Sequence, residues 1–136
     1  KLLELPLFIG ISNAELADIV GNTKFGFHKL SEGKILVKED EKCEQLYCLV
    51  SGSRRVLSRA DNHRYSIEEQ LKAPAVIQPE HFFGLIQHHT KTFSAATACS
   101  LLSLDKTEVL RLMDESFIFR LNFHCFHPFI FLILNC

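Results

Sequence analysis

The residues with chemistry to offer gather in Phe82–Thr97, FFGLIQHHTKTFSAAT. A Phe-Gly turn, a loop carrying His88, His89 and Lys91, and a Ser-Ala-Ala-Thr run opening a strand have the look of a pocket built to hold something. Metal ligation by His88 and His89 is disfavoured, because neighbours on an extended loop point apart and no carboxylate stands at ligand spacing nearby. Solvated loop histidines are the ordinary reading. His124 and His127 share a helical spacing with Cys125 between them and Cys136 nearby, and packing in a core or interface outranks a metal site there too. No metal ligands are therefore assigned. Arg54, Arg55, Arg59 and Arg64 surround the Asp61-Asn62 turn and read as a solvated basic hairpin opposite Glu68 and Glu69, with contact to a partner domain as the alternative. No nucleophile with an identifiable base, no Walker loop and no dinucleotide fingerprint occurs. The chain is not expected to be an enzyme.

The elements that must position these residues change character twice along the chain. Ser12 and Glu15 have capping-box spacing and Ile11 can staple onto Leu16, so a helix is expected over Asn13–Val20, with its apolar stripe ending at Gly21. Short β-branched and aromatic runs follow, at Phe25–Leu30, Lys34–Lys38, Leu46–Ser51, Arg54–Arg59, Tyr65–Leu71, Ala75–Gln78 and Ser94–Leu104, divided by turn residues such as Gly33, Gly52 and Pro74. That texture reads as a sandwich or barrel. Helical spacing returns where Asp105 and Glu108 repeat the capping box, Leu104 and Val109 the staple, and Val109, Leu112 and Met113 the apolar face. A further helix is expected from about Ser116.

Six of the twelve phenylalanines fall in the last twenty residues, FIFRLNFHCFHPFIFLILNC. Phe119, Phe123, Phe126, Ile130 and Ile133 form a heptad-like seam, while Ile118, Leu121, Cys125, Phe129 and Leu132 form a second apolar face. A helix apolar on two faces needs two partners, its own β-domain and a second subunit. A membrane span is excluded, since Arg120, Asn122, His124 and His127 leave only Pro128–Leu134 uninterrupted, against the roughly 20 residues a span requires. Pro128 should kink or end the helix near His127. Whether residues 128–136 belong to the fold is left open.

Composition sets the frame. At 136 residues, 47% hydrophobic and 23% charged, the chain suits one soluble domain with a core of its own. Fifteen basic against sixteen acidic residues argue against a polyanion-binding surface. Five scattered cysteines with no C-x-x-C pair fit a reducing, cytoplasmic setting, and KLLELPLF is too short and too soon interrupted to be a signal peptide.

In order, LPLFIGISNAELADIV, then LSEGKILVKEDEKCEQLYCLVSGSRRVL, then FFGLIQHHTKTFSAATACSLLSLDKTEVLRLM resemble the cyclic-nucleotide-binding domain of the Crp/Fnr transcription regulators, also found in protein-kinase regulatory subunits and ion channels. The resemblance covers roughly residues 5–121 and is most specific at Gly33, at LYCLVSG ending on Gly52, and at Phe83-Gly84 with Ser94-Ala95. It implies a mainly β fold, an antiparallel eight-stranded β-roll or jelly roll (double-stranded β-helix) with flanking amino- and carboxy-terminal helices. Residues 1–114 would form the roll and its helices, and 115–136 a dimerisation-type helix with an apolar tail. Phe119, Phe123, Phe126 and Ile130 would face the second subunit of a homodimer. The helix-turn-helix domain that reads DNA in these regulators has no counterpart before Cys136, so DNA would be reached only through a domain absent from these residues.

The resemblance also implies what the pocket has lost. In the family's phosphate cassette a Phe-Gly-Glu turn opens a short helix toward the cyclic phosphate, the Glu accepts the ribose hydroxyl, and an Arg before the Ser/Thr-Ala pair neutralises the phosphate. Phe83, Gly84, Ser94 and Ala95 match, but Leu85 stands at the Glu position and Phe93 at the Arg position. Two hydrogen bonds to charged groups, at about 1.5–3 kcal/mol each, amount to about 3–6 kcal/mol, or roughly two to four decades of affinity. Lys91 is the candidate substitute cation, against the commoner fate of a solvated lysine. Leu85 and Phe93 would either fill the old pocket or line a site for a less polar ligand. The leading expectation is an effector-sensing domain of a Crp/Fnr-like regulator that does not bind cyclic AMP tightly, its effector unidentified and no cofactor assigned. A stand-alone or remnant dimerisation module with a self-filled pocket is the alternative. A cupin-type metalloenzyme comes last, because no His-x-His occurs.

Overall fold

A computed structural model of the chain describes residues 5–59, 66–77, 82 and 87–126, with only the backbone at 55, 57–59, 66–69 and 126. Ser12 Oγ accepts the Glu15 N–H at 3.2 Å and starts α1, Asn13–Asn22. The stripe buries Ile19 and half-buries Leu16, while Val20 remains exposed. The helix does not stop at Val20. Gly21 lies outside the left-handed region, and the Asn22 amide donates to the Asp18 carbonyl at 2.9 Å, so the last turn closes beyond the glycine.

The strands are β1 Gly26–Leu30, β2 Ile35–Val37, β3 Gln45–Ser51, β4 Ser53–Arg59, β5 Ser66–Lys72, β6 Ala75–Val76, β7 Thr92–Ala95 and β8 Cys99–Asp105. They form two four-stranded antiparallel sheets, ordered β1-β8-β3-β6 and β2-β7-β4-β5, so the expected mainly β roll is present. The run Ser94–Leu104, expected as one strand, is two, since β7 and β8 belong to different sheets. The crossing is fixed by a close backbone approach at the β3–β4 turn. Gly52 has φ +90°, and a Cβ there would collide with the Ala98 carbonyl oxygen. Beside it, the Ala96 and Thr97 N–H groups both donate to the Ser53 carbonyl, at 3.0 and 3.3 Å.

Strand alternation divides the apolar residues between two cores. Leu46 and Cys48 of β3 and Leu102 and Leu104 of β8 join Leu5, Phe8 and Ile19 under the helices. Leu49 of β3 and Cys99 and Leu101 of β8 turn the other way, into the roll, with Val37, Val56, Ile77, Phe93 and Ala95.

Helix α2, Lys106–Glu115, starts where the Asp105 carboxylate accepts the Glu108 N–H at 3.0 Å, and it buries Val109, Leu112 and Met113. Arg111 ties it to the end of α1 by donating to the Thr23 hydroxyl at 2.7 Å and the Asn22 carbonyl at 3.0 Å. Helix α3, Phe117–Phe126, begins with the Ser116 hydroxyl accepting the Phe119 N–H at 3.2 Å. Two of the residues expected to face a second subunit turn inward instead. Phe119 and Phe123, assigned to a subunit interface, are fully buried in the chain's own helical core, the Phe119 ring 5.5 Å from Phe8. The amino-terminal segment closes over that side, with the Asn122 amide donating to the Leu7 and Ile9 carbonyls at 2.9 Å each. The face left outward carries Phe117, 61% exposed, Leu121, 43% exposed, and exposed Cys125. The Phe126 side chain, Ile130 and the Pro128 kink lie outside the described residues. Among the described residues no helix is long and apolar enough to cross a membrane.

Candidate functional site in the roll interior

The strand that should end the cassette is β7, and hydrogen bonds to the β2 side fix its place. Gly33, at φ +84°, donates its N–H to the Ala95 carbonyl at 2.8 Å, and the Ala95 N–H donates to the Lys34 carbonyl at 2.8 Å. Thr92 Oγ1 accepts the Glu39 N–H at 3.0 Å. With that register set, alternation turns Phe93 and Ala95 into the roll and leaves Ser94 half-buried on the other side. Phe93 lies between Val37 of β2 and Val56 of β4 and is 2% exposed. Lys91 is half-buried in the bend that enters β7. Phe83, Gly84 and Leu85 lie outside the described residues.

The rest of the stretch divides between exterior and core. Phe82 is buried in the helical core with the Lys106 ammonium 5.5 Å from its ring centre. His88 is exposed, bridging to Lys42, but His89 is buried, which the solvated-loop reading did not anticipate. Its backbone explains this, since the N–H donates to the Glu41 carbonyl at 2.8 Å and its carbonyl accepts the Asp40 N–H at 2.7 Å, drawing the loop inward. Among the described residues no group of three His, Cys, Asp or Glu side chains could hold a metal ion.

The decisive polar group was not among the expected site residues. Arg54, read as part of a solvated hairpin, has no exposed surface. It pairs across the sheet with Ala95 and shares the inward face of β4 with Val56. Its Nε, Nη1 and Nη2 atoms are all buried and without hydrogen-bond partners among the described residues. Burial lowers its pKa to about 10, against an opposing influence from Cys99 and Tyr47, so the guanidinium stays charged at neutral pH. Tyr47, facing it from β3, is pushed upward by burial, then by Glu41 and Glu44, with Arg54 acting the other way. The sequence held a signal for this arrangement. Once β4 starts at Ser53, period-2 alternation puts Arg54 and Val56 on one face.

The profile of the cyclic nucleotide-binding domain matches residues 27–116, two-thirds of the chain, from within β1 to just past the end of α2. The chain belongs to that family. Among solved structures, this cyclic nucleotide-binding domain is similar to the catabolite activator protein of Thermus thermophilus, with TM-score 0.78 and 16% identity over 96% of this chain and 60% of that one. It is also similar to the sensor domain of the transcriptional regulator DNR from Pseudomonas aeruginosa, with TM-score 0.71 and 16% identity over 88% of this chain and 79% of that one. A transcriptional regulator from Thermotoga maritima gives TM-score 0.69 and 18% identity over 88% and 92%. Comparison with curated proteins finds no match.

The roll interior thus sets the buried Phe93 ring of β7 beside a buried cation, Arg54, on the neighbouring strand β4.

Proposed function

We propose that the chain is the effector-sensing domain of a Crp/Fnr-like transcription regulator whose pocket does not bind cyclic AMP or cyclic GMP tightly. The supporting observation is Phe93. It stands where the family's cassette resemblance calls for an arginine, and its ring is packed between Val37 and Val56 rather than replaced by a mobile side chain. An effector in the roll would act by changing how α2 and α3 pack on the sheet, an equilibrium between two packings that ligand biases. Its output would reach DNA through a further domain, and a second copy of the chain is the expected partner.

Isothermal titration with cyclic AMP and cyclic GMP tests the reading. No saturation is expected below about 100 μM, and a dissociation constant under that value overturns it. A self-filled dimerisation module is favoured by the tight apolar set around Phe93, but it leaves the charge of Arg54 without a purpose.

A further inference from the structure

We propose that Arg54 is the anion-holding group of the roll interior, receiving the oxyanion of a small organic acid whose apolar body rests against Val56 and Phe93. The inference rests on the sensing reading above and supplies the chemistry of its effector. Three observations carry it. The guanidinium is wholly inside the roll and all three of its nitrogens lack a partner among the described residues. Among the described residues the groups that influence it are Cys99 and Tyr47, a thiol and a phenol, neither of which is a carboxylate counter-charge. Its neighbour across the sheet is Ala95, whose methyl group offers the guanidinium neither a charge nor a hydrogen bond.

A buried cation with neither counter-charge nor hydrogen bonds is among the costliest arrangements a fold can keep, and an apolar residue of similar shape would be the more stable choice. An oxyanion removes the cost, since the planar guanidinium pairs with two oxygens at once. The surroundings restrict the rest of the ligand. Val37, Val56, Ile77 and Phe93 form apolar walls, so a hydrocarbon or aryl body fits where a sugar with several hydroxyls would lose its hydrogen bonds. The anion-holding position is on β4, a different strand from the Ser94-Ala95 end of the cassette. A carboxylate and a phosphate monoanion share the headgroup chemistry, and the probes separate them.

The test compares the wild-type protein with Arg54→Met and Arg54→Lys, using octanoate, benzoate, inorganic phosphate and cyclic AMP as probes, read by thermal melting and by calorimetric titration. Octanoate or benzoate is expected to raise the melting temperature of the wild type and of Arg54→Lys, less for the lysine, while Arg54→Met melts no lower than the wild type without ligand and loses at least tenfold in affinity. Stabilisation of the wild type and Arg54→Met alike overturns the proposal, as does the absence of binding by every probe. Unfolding of Arg54→Met together with unchanged affinity in a folded Arg54→Lys also overturns it, because a structural guanidinium would behave that way. Tight cyclic AMP binding that depends on Arg54 upholds the anion site while overturning the proposed loss of cyclic-nucleotide affinity. Tight binding indifferent to Arg54 overturns both.

Discussion

At the scale of single residues, burial decides which groups keep ordinary chemistry. Cys43, Cys48 and Cys99 are buried, and burial pushes the Cys48 thiol up to about 12, so its reactive thiolate is scarce at neutral pH. Cys99 is further held by contacts of its Sγ with the Ser53 and Thr97 carbonyls, each at 3.1 Å. Cys125 is exposed. A water-soluble maleimide at about pH 7.5 is expected to modify Cys125 in the folded protein and to reach the three buried thiols only after denaturant is added, as peptide mass mapping reads. Labelling of Cys48 as fast as Cys125 would contradict the packing. His124 on α3 provides a second residue-scale expectation. Burial, and then the charge of Arg120, lower its pKa below the usual histidine value. The unfolded chain therefore takes up its proton first as pH falls, so the stability His124 contributes is full above about pH 6.5 and is lost as pH falls through the depressed value. His124→Gln should flatten the acid side of the stability curve in urea titrations between about pH 5 and 7, and an unaltered slope would remove His124 as its cause.

At the scale of elements, two glycines make opposite predictions from the same substitution. Gly52 combines φ +90° with a close backbone approach, so Gly52→Ala should cost more than about 1 kcal/mol by loosening the turn where β3, β4 and the β7–β8 crossing meet. Gly21 lies within α1 with open space around its missing Cβ, and Gly21→Ala should add about 0.5–1 kcal/mol. Urea midpoints measure both, and effects of equal sign would show that backbone geometry is not what separates them. Helix starts were legible in the sequence because caps are local, a side-chain oxygen three residues from the N–H it accepts, as at Ser12 and Asp105. Strand positions were legible from runs and turns, whereas the β7–β8 break was hidden because Ala96–Ala98 carry no turn residue and the crossing depends on Gly52, far away in sequence. Arg54 was hidden for a related reason. Four arginines around a turn look solvated until the strand register makes Arg54 the inward partner of Ala95. Of the cassette residues, Phe93 was expected to point inward and is buried in the roll, while Phe83, Gly84 and Leu85 lie outside the described residues.

At the scale of the whole molecule, the question is which surface a second copy would use. Heptad spacing picked out Phe119 and Phe123 without indicating which of two apolar faces the chain would keep for itself, because periodicity carries no information about sides. The fold uses that face internally, against Phe8, and leaves Phe117, Leu121 and Cys125 outward. The two faces therefore respond differently to mutation. Phe119→Ala should cost about 3–5 kcal/mol of stability whatever the oligomeric state, since it empties a core site. Leu121→Glu should leave the melting temperature of a single copy nearly unchanged, since it alters an exposed position. If pairing uses the outward strip of α3, sedimentation equilibrium finds wild-type dimers and Leu121→Glu monomers, because a carboxylate buried in an apolar interface without a partner is strongly unfavourable. A monomeric wild type, or dimers that Leu121→Glu leaves intact, would remove this strip as the contact and with it the route by which an effector in the roll could reorient two copies through α3.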